Sequence, residues 1–267
     1  MKLTAEQVQA YDRDGFLVLP GAFSTDEIEA MRQEIRRLST ESADAIREKD
    51  GQALRMFYRI HDERAKTPSP LFQRVARSPR MLGPARQALG DDQLYMYHSK
   101  CNVKEAISGD IWQWHQDFGS WVYDGMPTPD VATILVVVEQ ASELGGCLYM
   151  VPGSHKLGLQ EPEIDHVTTS YKLRVVPKER MIEILGTLPR PVAITAPAGS
   201  IVLFHGNMIH ASGHNLWKDP RWHLYFVYNP VRNQTHAIDN PRPEHVRSLD
   251  FRPLVEAPDE LLSAQPA

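Results

Sequence analysis

Through much of the first 90 positions, apolar residues recur every three or four places, and beyond that point the interval shortens. In "STDEIEAMRQEIRRL" (24–38), Ile28, Met31, Ile35 and Leu38 fall on one helical face, and Ser24 opens the segment. The acids and bases between them read as the solvated side. Thr4 predicts the cap of a shorter helix carrying Val8 and Tyr11, because its hydroxyl accepts from the free N–H groups of a first turn. "FLVLP" (16–20) predicts a brief strand ended by Pro20, and "SPRMLGPARQALG" (78–90) an amphipathic helix stopped by Gly90.

From about residue 93 the pattern is one of short apolar or alternating runs: "QLYMYHSKCNV", "VATILVVVE", "GCLYMVP", "RPVAITAP", "SIVLFHG" and "HLYFVYNP". Turns such as "ELGG", "PGSH" and "PAGS" separate them. Short strands punctuated in this way, with few helices between, predict a sandwich or jelly roll rather than a parallel α/β sheet. Residues 157–190 interrupt the series as an insertion with one helix near 177–186, of a length that usually covers or shapes a site. No repeat and no linker is evident. The expectation is one domain over 1–267: a mainly helical part (1–90), a jelly-roll core (91–252) and a loosely held tail (253–267).

Composition narrows the partners. The 29 Lys and Arg against 34 Asp and Glu give −5, which argues against nucleic acid. No run of 18 apolar residues exists and "MKLTAEQVQAYDRDG" is too polar for a signal peptide, so no membrane partner is expected. Two cysteines, Cys101 and Cys147, form no CxxC pair, which disfavours a disulfide framework or a thiolate zinc site and makes a reducing cytoplasm the default. The expected state is a monomer or homodimer acting on a small molecule.

The candidate chemistry lies in "WQWHQDFGSW" (112–121). In a strand, His115 and Asp117 would project to one face and grip one ion. Imidazole plus carboxylate suits Fe(II), and a second imidazole on that face would leave positions open for ligands and O2. An H-x-D triplet alone is a weak signal, and spacing does not choose its third partner among His205, His210 and His214. A zinc hydrolase is disfavoured: no H-E-x-x-H helix is present and no general base stands out.

Three ordered blocks carry a resemblance over nearly the whole chain: "KCNVKEAISGDIWQWHQDFGSWVYDGMP", "GGCLYMVPGSHKLG" and "PAGSIVLFHGNMIHASGHNLWKDPRWHLYFVYNPVRN". The chain resembles the phytanoyl-CoA dioxygenase superfamily of Fe(II)- and 2-oxoglutarate-dependent oxygenases, and within it the bacterial hydroxylases of proline and ectoine. The resemblance implies a double-stranded β-helix (jelly roll, cupin-like) flanked by helices. It implies His115, Asp117 and His210 as metal ligands and catalytic centre, since the family's distal histidine sits in a step like His210-Ala211-Ser212. It also implies Arg221, eleven residues on, as the clamp for the far carboxylate of 2-oxoglutarate, with Ser212 and Asn102 beside the cosubstrate. Relatives that halogenate carry Gly or Ala where this chain keeps Asp117, so hydroxylation with release of succinate and CO2 is implied instead.

For the substrate, the resemblance places Lys100 at a basic position that would hold a carboxylate, Trp121 at a tryptophan that walls the pocket, and "PGSH" (152–155) on its rim. A small free amino acid or similar zwitterion is expected, with an aminoalkylphosphonate or other small anion as the alternative. Gly119 and Ser120 replace larger groups of the relatives and point to an enlarged or more polar pocket. The four aromatics Trp112, Trp114, Phe118 and Trp121 would shield the oxidant, with Trp114 confined to packing. The rival without chemistry is a jelly roll that only binds a metal or 2-oxoglutarate.

Overall fold

A computed structural model describes residues 1–41, 45–47, 54–168 and 173–262. Helix α1 (Ala5–Asp14) begins in a reciprocal cap. The Thr4 hydroxyl accepts from the Gln7 amide, and the Gln7 side chain accepts from the Thr4 amide. It ends at Gly15, whose φ of +83° lies where only glycine rests easily. Strand β1 (Phe16–Leu19) follows, then α2 (Thr25–Glu41) behind a similar Ser24–Glu27 box. Ile28, Met31, Ile35 and Leu38 of α2 are all buried; together they contribute roughly 6–12 kcal/mol before the entropy of ordering is set against it.

Strands β2 (Ala45–Arg47) and β3 (Leu54–Tyr58) and helix α3 (Pro70–Arg77) were not foreseen in the sequence. Helix α3 is one short segment between a Ser69 cap and a Ser78-Pro79 step, too brief for its period to show. After α4 (Pro79–Leu89) come the long β4 (Leu94–Lys104), β5 (Trp112–His115), the single turn α5 (Phe118–Trp121), β6 (Ala132–Val137) and β7 (Leu148–Met150). The insertion supplies β8 (Glu163–Asp165), β9 (Leu173–Val175) and α6 (Lys178–Thr187). Strands β10 (Val192–Ala193), β11 (Ile201–His205), β12 (His210–Ser212) and β13 (Arg221–Pro230) complete the order.

The strands form a jelly roll of two antiparallel sheets. The larger runs β1-β11-β6-β13-β4-β3-β2 and the smaller β10-β7-β12-β5, while β8 and β9 pair alone. Alternation along β13 divides the molecule. Leu224, Phe226 and Tyr228 join the cluster packed under the helices, whereas Tyr225 and Val227 turn inward between the sheets. Strand β6 is buried at every position because helices cover one face and the small sheet the other. That is why "VATILVVVE" reads as a continuous apolar run and not an alternating one.

The segment 253–262 is not loosely held. Leu261 is buried in the helical core, and its carbonyl accepts from the Arg74 guanidinium. Arg80 pairs with Asp259 and Arg86 with Glu256, and the amides of Leu254 and Ala257 donate to Leu94 and Arg77. The last five residues lie outside the described ones. No described helix is long and apolar enough to cross a membrane.

Candidate metal centre

Strand β12 lies between β5 and β7, and its register sets His210 directly opposite His115. Side chains facing each other across antiparallel strands are close neighbours, and the two imidazole centroids lie 4.1 Å apart. The two nitrogens at position δ1 face carbonyl oxygens, Gln113 O at 2.7 Å from His115 and Met208 O at 2.9 Å from His210. A carbonyl only accepts, so both Nδ1 atoms carry the proton and both Nε2 lone pairs are left for a cation. Burial, then the neighbouring His210, pulls the pKa of His115 down to about 3, which keeps the ring neutral.

Asp117 arrives by a different route from the one expected. Strand β5 stops at His115, and Asp117 has helical backbone angles at the entrance of α5. A turn, and not the two-residue period of a strand, brings its Oδ1 to 3.9 Å from His115 Nε2. Gln116 holds that turn. Its buried amide donates to the carbonyls of Gly158 and Asn207, both at 2.9 Å, and accepts from the Gln160 amide at 2.8 Å. The amide of Phe118 donates to Gly206 O. Ligand atoms of His115, Asp117 and His210 all lie within 4.8 Å of one another, the one such group among the described residues.

The rival histidines are elsewhere. His205 lies tilted against His155 and accepts from the Asn207 amide; His214 is bound to Gly109 O. A bulge lets three residues of β5 span two of β12, so Trp112 shares the cavity side with His115. Trp121 also lines the cavity, edge-on to Tyr97. Phe118 instead packs with Tyr95 and Met126, and Trp114 packs with Val151, Val176 and Ile184. Trp112 and Trp121 therefore reach the site and Phe118 does not, while Trp114 serves packing as expected.

The cluster opens into a cavity of about 470 Å3 between the sheets, a size suited to a small metabolite. Asn102, Lys100, Ser212 and Arg221 line it as well. Arg221 is buried at the start of β13; its Nη1 donates to Gly146 O at 2.6 Å, and its Nε has no partner among the described residues. Burial lowers the guanidinium pKa from its usual value, so an anion there would be well used. Gly146 permits the contact: its φ is +66°, and a Cβ would lie 2.6 Å from His214 O. The sequence showed "ELGG" only as a turn. Ser212 Oγ accepts from the buried ammonium of Lys104, which leaves its own proton to donate. Asn102 keeps an unpartnered carbonyl oxygen.

Elsewhere on the cavity wall, Lys100 Nζ lies over the rings of Trp112 (5.0 Å) and Tyr225 (5.4 Å). Burial lowers its pKa to about 8. Ser120 lines the cavity, but Gly119 faces Leu159. The "PGSH" loop is not on the rim: Ser154 Oγ accepts from the Ile209 amide and Gly153 donates to Asp14 O, so it braces β12 and the end of α1.

Two imidazoles and a carboxylate with free donor atoms, facing a buried guanidinium across one cavity in a jelly roll, define the site of a 2-oxoglutarate-dependent non-haem iron dioxygenase. The phytanoyl-CoA dioxygenase (PhyH) family model matches residues 11–222, and the chain belongs to that family. It is similar to the ectoine dioxygenase of Bordetella bronchiseptica, 35% identical over 95% of this chain and 88% of the relative. It is also similar to the L-proline trans-4-hydroxylase of Streptomyces griseoviridis, 33% identical over 92% of each. Among solved structures, EctD from S. alaskensis with 2-oxoglutarate and 5-hydroxyectoine superposes with a TM-score of 0.79, at 29% identity over 92% of this chain and 84% of the other. The same protein with bound Fe gives 0.82, at 27% identity over 96% of this chain and 87% of the other. The chain is an enzyme of this class, using Fe(II), 2-oxoglutarate and O2.

Proposed function

We propose that the chain hydroxylates an unactivated C–H bond of a small free amino acid or a similar carboxylate-bearing metabolite. His115, Asp117 and His210 hold the iron; Arg221, Ser212 and Asn102 hold 2-oxoglutarate; Lys100 and Trp121 receive the substrate. The observation that carries this reading is the buried Arg221, with a free Nε, in the same cavity as the three ligand side chains. When bound, iron and 2-oxoglutarate supply the oxidising power, with one oxygen atom passing to succinate and the other to the product as CO2 leaves.

The protein's share is placement. The backbone carbonyls of Gln113 and Met208 fix both imidazoles in one tautomer and one orientation. The guanidinium offers a planar fork to a carboxylate and keeps its charge when dry. The half-buried Trp112 and the buried Trp121 wall the cavity and keep bulk water from the reacting carbon. Two free, buried thiols support a reducing cytoplasm as the working compartment, with the protein as a monomer or homodimer and no nucleic acid bound.

The test is anaerobic addition of Fe(II) and then 2-oxoglutarate, which should give a visible charge-transfer band. Air with a panel of amino acids, imino acids, ectoine and aminophosphonates should then give succinate and one product heavier by one oxygen. A colourless mixture, with no succinate from any panel member, would remove the assignment.

A further inference from the structure

Among the described residues, five cationic side chains line the cavity: Arg55, Lys100, Arg174, Arg221 and Arg242. Two of them are neutralised within the protein. Arg55 pairs with Asp110 at 2.7 Å, and Arg242 with the fully buried Asp124 at 2.6 Å. A third, Arg221, belongs to the cosubstrate under the function proposed above. With Asp117 as a ligand, the iron, the 2-oxoglutarate dianion and the Arg221 cation sum to zero charge. Lys100 and Arg174 are left over. Neither forms an ion pair with a described residue: Lys100 lies over the Trp112 and Tyr225 rings, and the Arg174 guanidinium carbon lies over Tyr123, 3.6 Å from its centroid. Stacking of this kind leaves the guanidinium's N–H edge free for an anion.

The cavity is as clear in what it lacks for a cation. Among the described residues Asp117 is its one acidic lining side chain, and that carboxylate is committed to the metal. An ammonium can also rest on an aromatic face. The faces of Trp112 and Tyr225, however, already carry the Lys100 ammonium, Trp121 is packed against Tyr97, and Tyr58 lies against His98 and His245. Among the described residues, a substrate ammonium placed inside would therefore meet two unpaired cations and no uncommitted anion, a costly arrangement away from water.

We propose that the substrate is a small molecule of net negative charge with two acid groups, one held by Lys100 and the other by Arg174. This rests on the dioxygenase reading and, within it, favours an acidic metabolite without an ammonium over a free amino acid. It also assigns a role to the 157–190 insertion, whose strand β9 carries Arg174: the insertion supplies the second anion receptor, and so the selectivity.

The experiment compares two compounds of equal chain length, 4-phosphonobutyrate and 4-aminobutyrate, titrated anaerobically into the protein already loaded with Fe(II) and saturating 2-oxoglutarate. The charge-transfer band reports the loaded state, and calorimetry reports binding. The phosphonate should bind about tenfold or more tightly, the scale of one charged hydrogen bond. Lys100→Ala and Arg174→Gln should each cut that preference about tenfold. Equal or tighter binding of 4-aminobutyrate to the wild-type protein would overturn the proposal, as would loss of the band on adding the phosphonate, which would place it on Arg221. An unchanged preference in Arg174→Gln would overturn it too. Absence of the band before either compound is added would instead refute the iron and 2-oxoglutarate assignment.

Discussion

Replacing Gln116 by alanine tests whether the turn after β5 is what places the carboxylate ligand. The substitution deletes three hydrogen bonds of 2.8–2.9 Å, made by a side chain that is only 3% exposed. Each is worth about 1 kcal/mol net. The Gly158 carbonyl keeps a second donor, Gln160 Nε2 at 3.2 Å, but the Gln160 amide and the Asn207 carbonyl lose this partner. The expected loss is about 3–4 kcal/mol, or a fall of about 6–16 °C in melting temperature for a chain of this size. Because Asp117 hangs from the next peptide, ferrous affinity should also fall about 10- to 100-fold. Thermal denaturation of the metal-free protein and anaerobic Fe(II) titration read the two effects separately. Gln116→Glu, of equal volume, should do no better, since a carboxylate would face two carbonyl oxygens. If Gln116→Ala melted lower yet bound iron as the wild type does, the residue would merely support the loop. An unchanged melting temperature would show that the three bonds contribute nothing.

Asp117→Ala should abolish both tight Fe(II) binding and succinate formation; retention of either in full would remove it from the ligand set. Arg221→Ala should raise the 2-oxoglutarate requirement about 100- to 1000-fold, as expected for a buried bidentate charged contact, with Arg221→Lys recovering only part. An unchanged requirement would mean another cation holds the cosubstrate. Acid should destabilise the metal-free protein through His205, whose pKa burial lowers to about 4 from an ordinary 6.5. The unfolded chain then binds the proton more readily, so stability present above pH 6.5 is lost as pH falls towards 4, by at most about 3 kcal/mol. His205→Asn should flatten the pH dependence of the melting temperature across that window, and an identical slope would show that other groups cause it.

What the sequence revealed and what it hid follow from how far each residue acts along the chain. The core strands were legible because Gly- and Pro-rich turns bracket apolar runs, and the capped helices because Thr4 and Ser24 announce their starts. His115 and Asp117 were visible as a triplet, yet the strand argument for joining them failed, because the chain leaves β5 at His115. Spacing alone did not separate His210 from His205 and His214; its register opposite His115 does. Gln116, Gly146 and Arg174 carried no local signal. Gln116 works through carbonyls 42 and 91 residues away, Gly146 holds a guanidinium 75 residues on, and Arg174 reaches the cavity from an insertion. Residues 253–262 read as a loosely held tail because their anchors, Arg74, Arg80 and Arg86, lie on helices some 170–190 positions earlier.

Those anchors bear on how the protein is made. During synthesis the first helices leave the ribosome long before the segment that covers them, and β1 must likewise wait for β11, its pairing partner. Until then the site that Leu261 will fill stays open to solvent, and the nascent N-terminal part is a sticky, incomplete surface. Final closure is therefore a late event that waits for the chain to emerge as far as Leu261, and expression hosts rich in holding chaperones should favour yield.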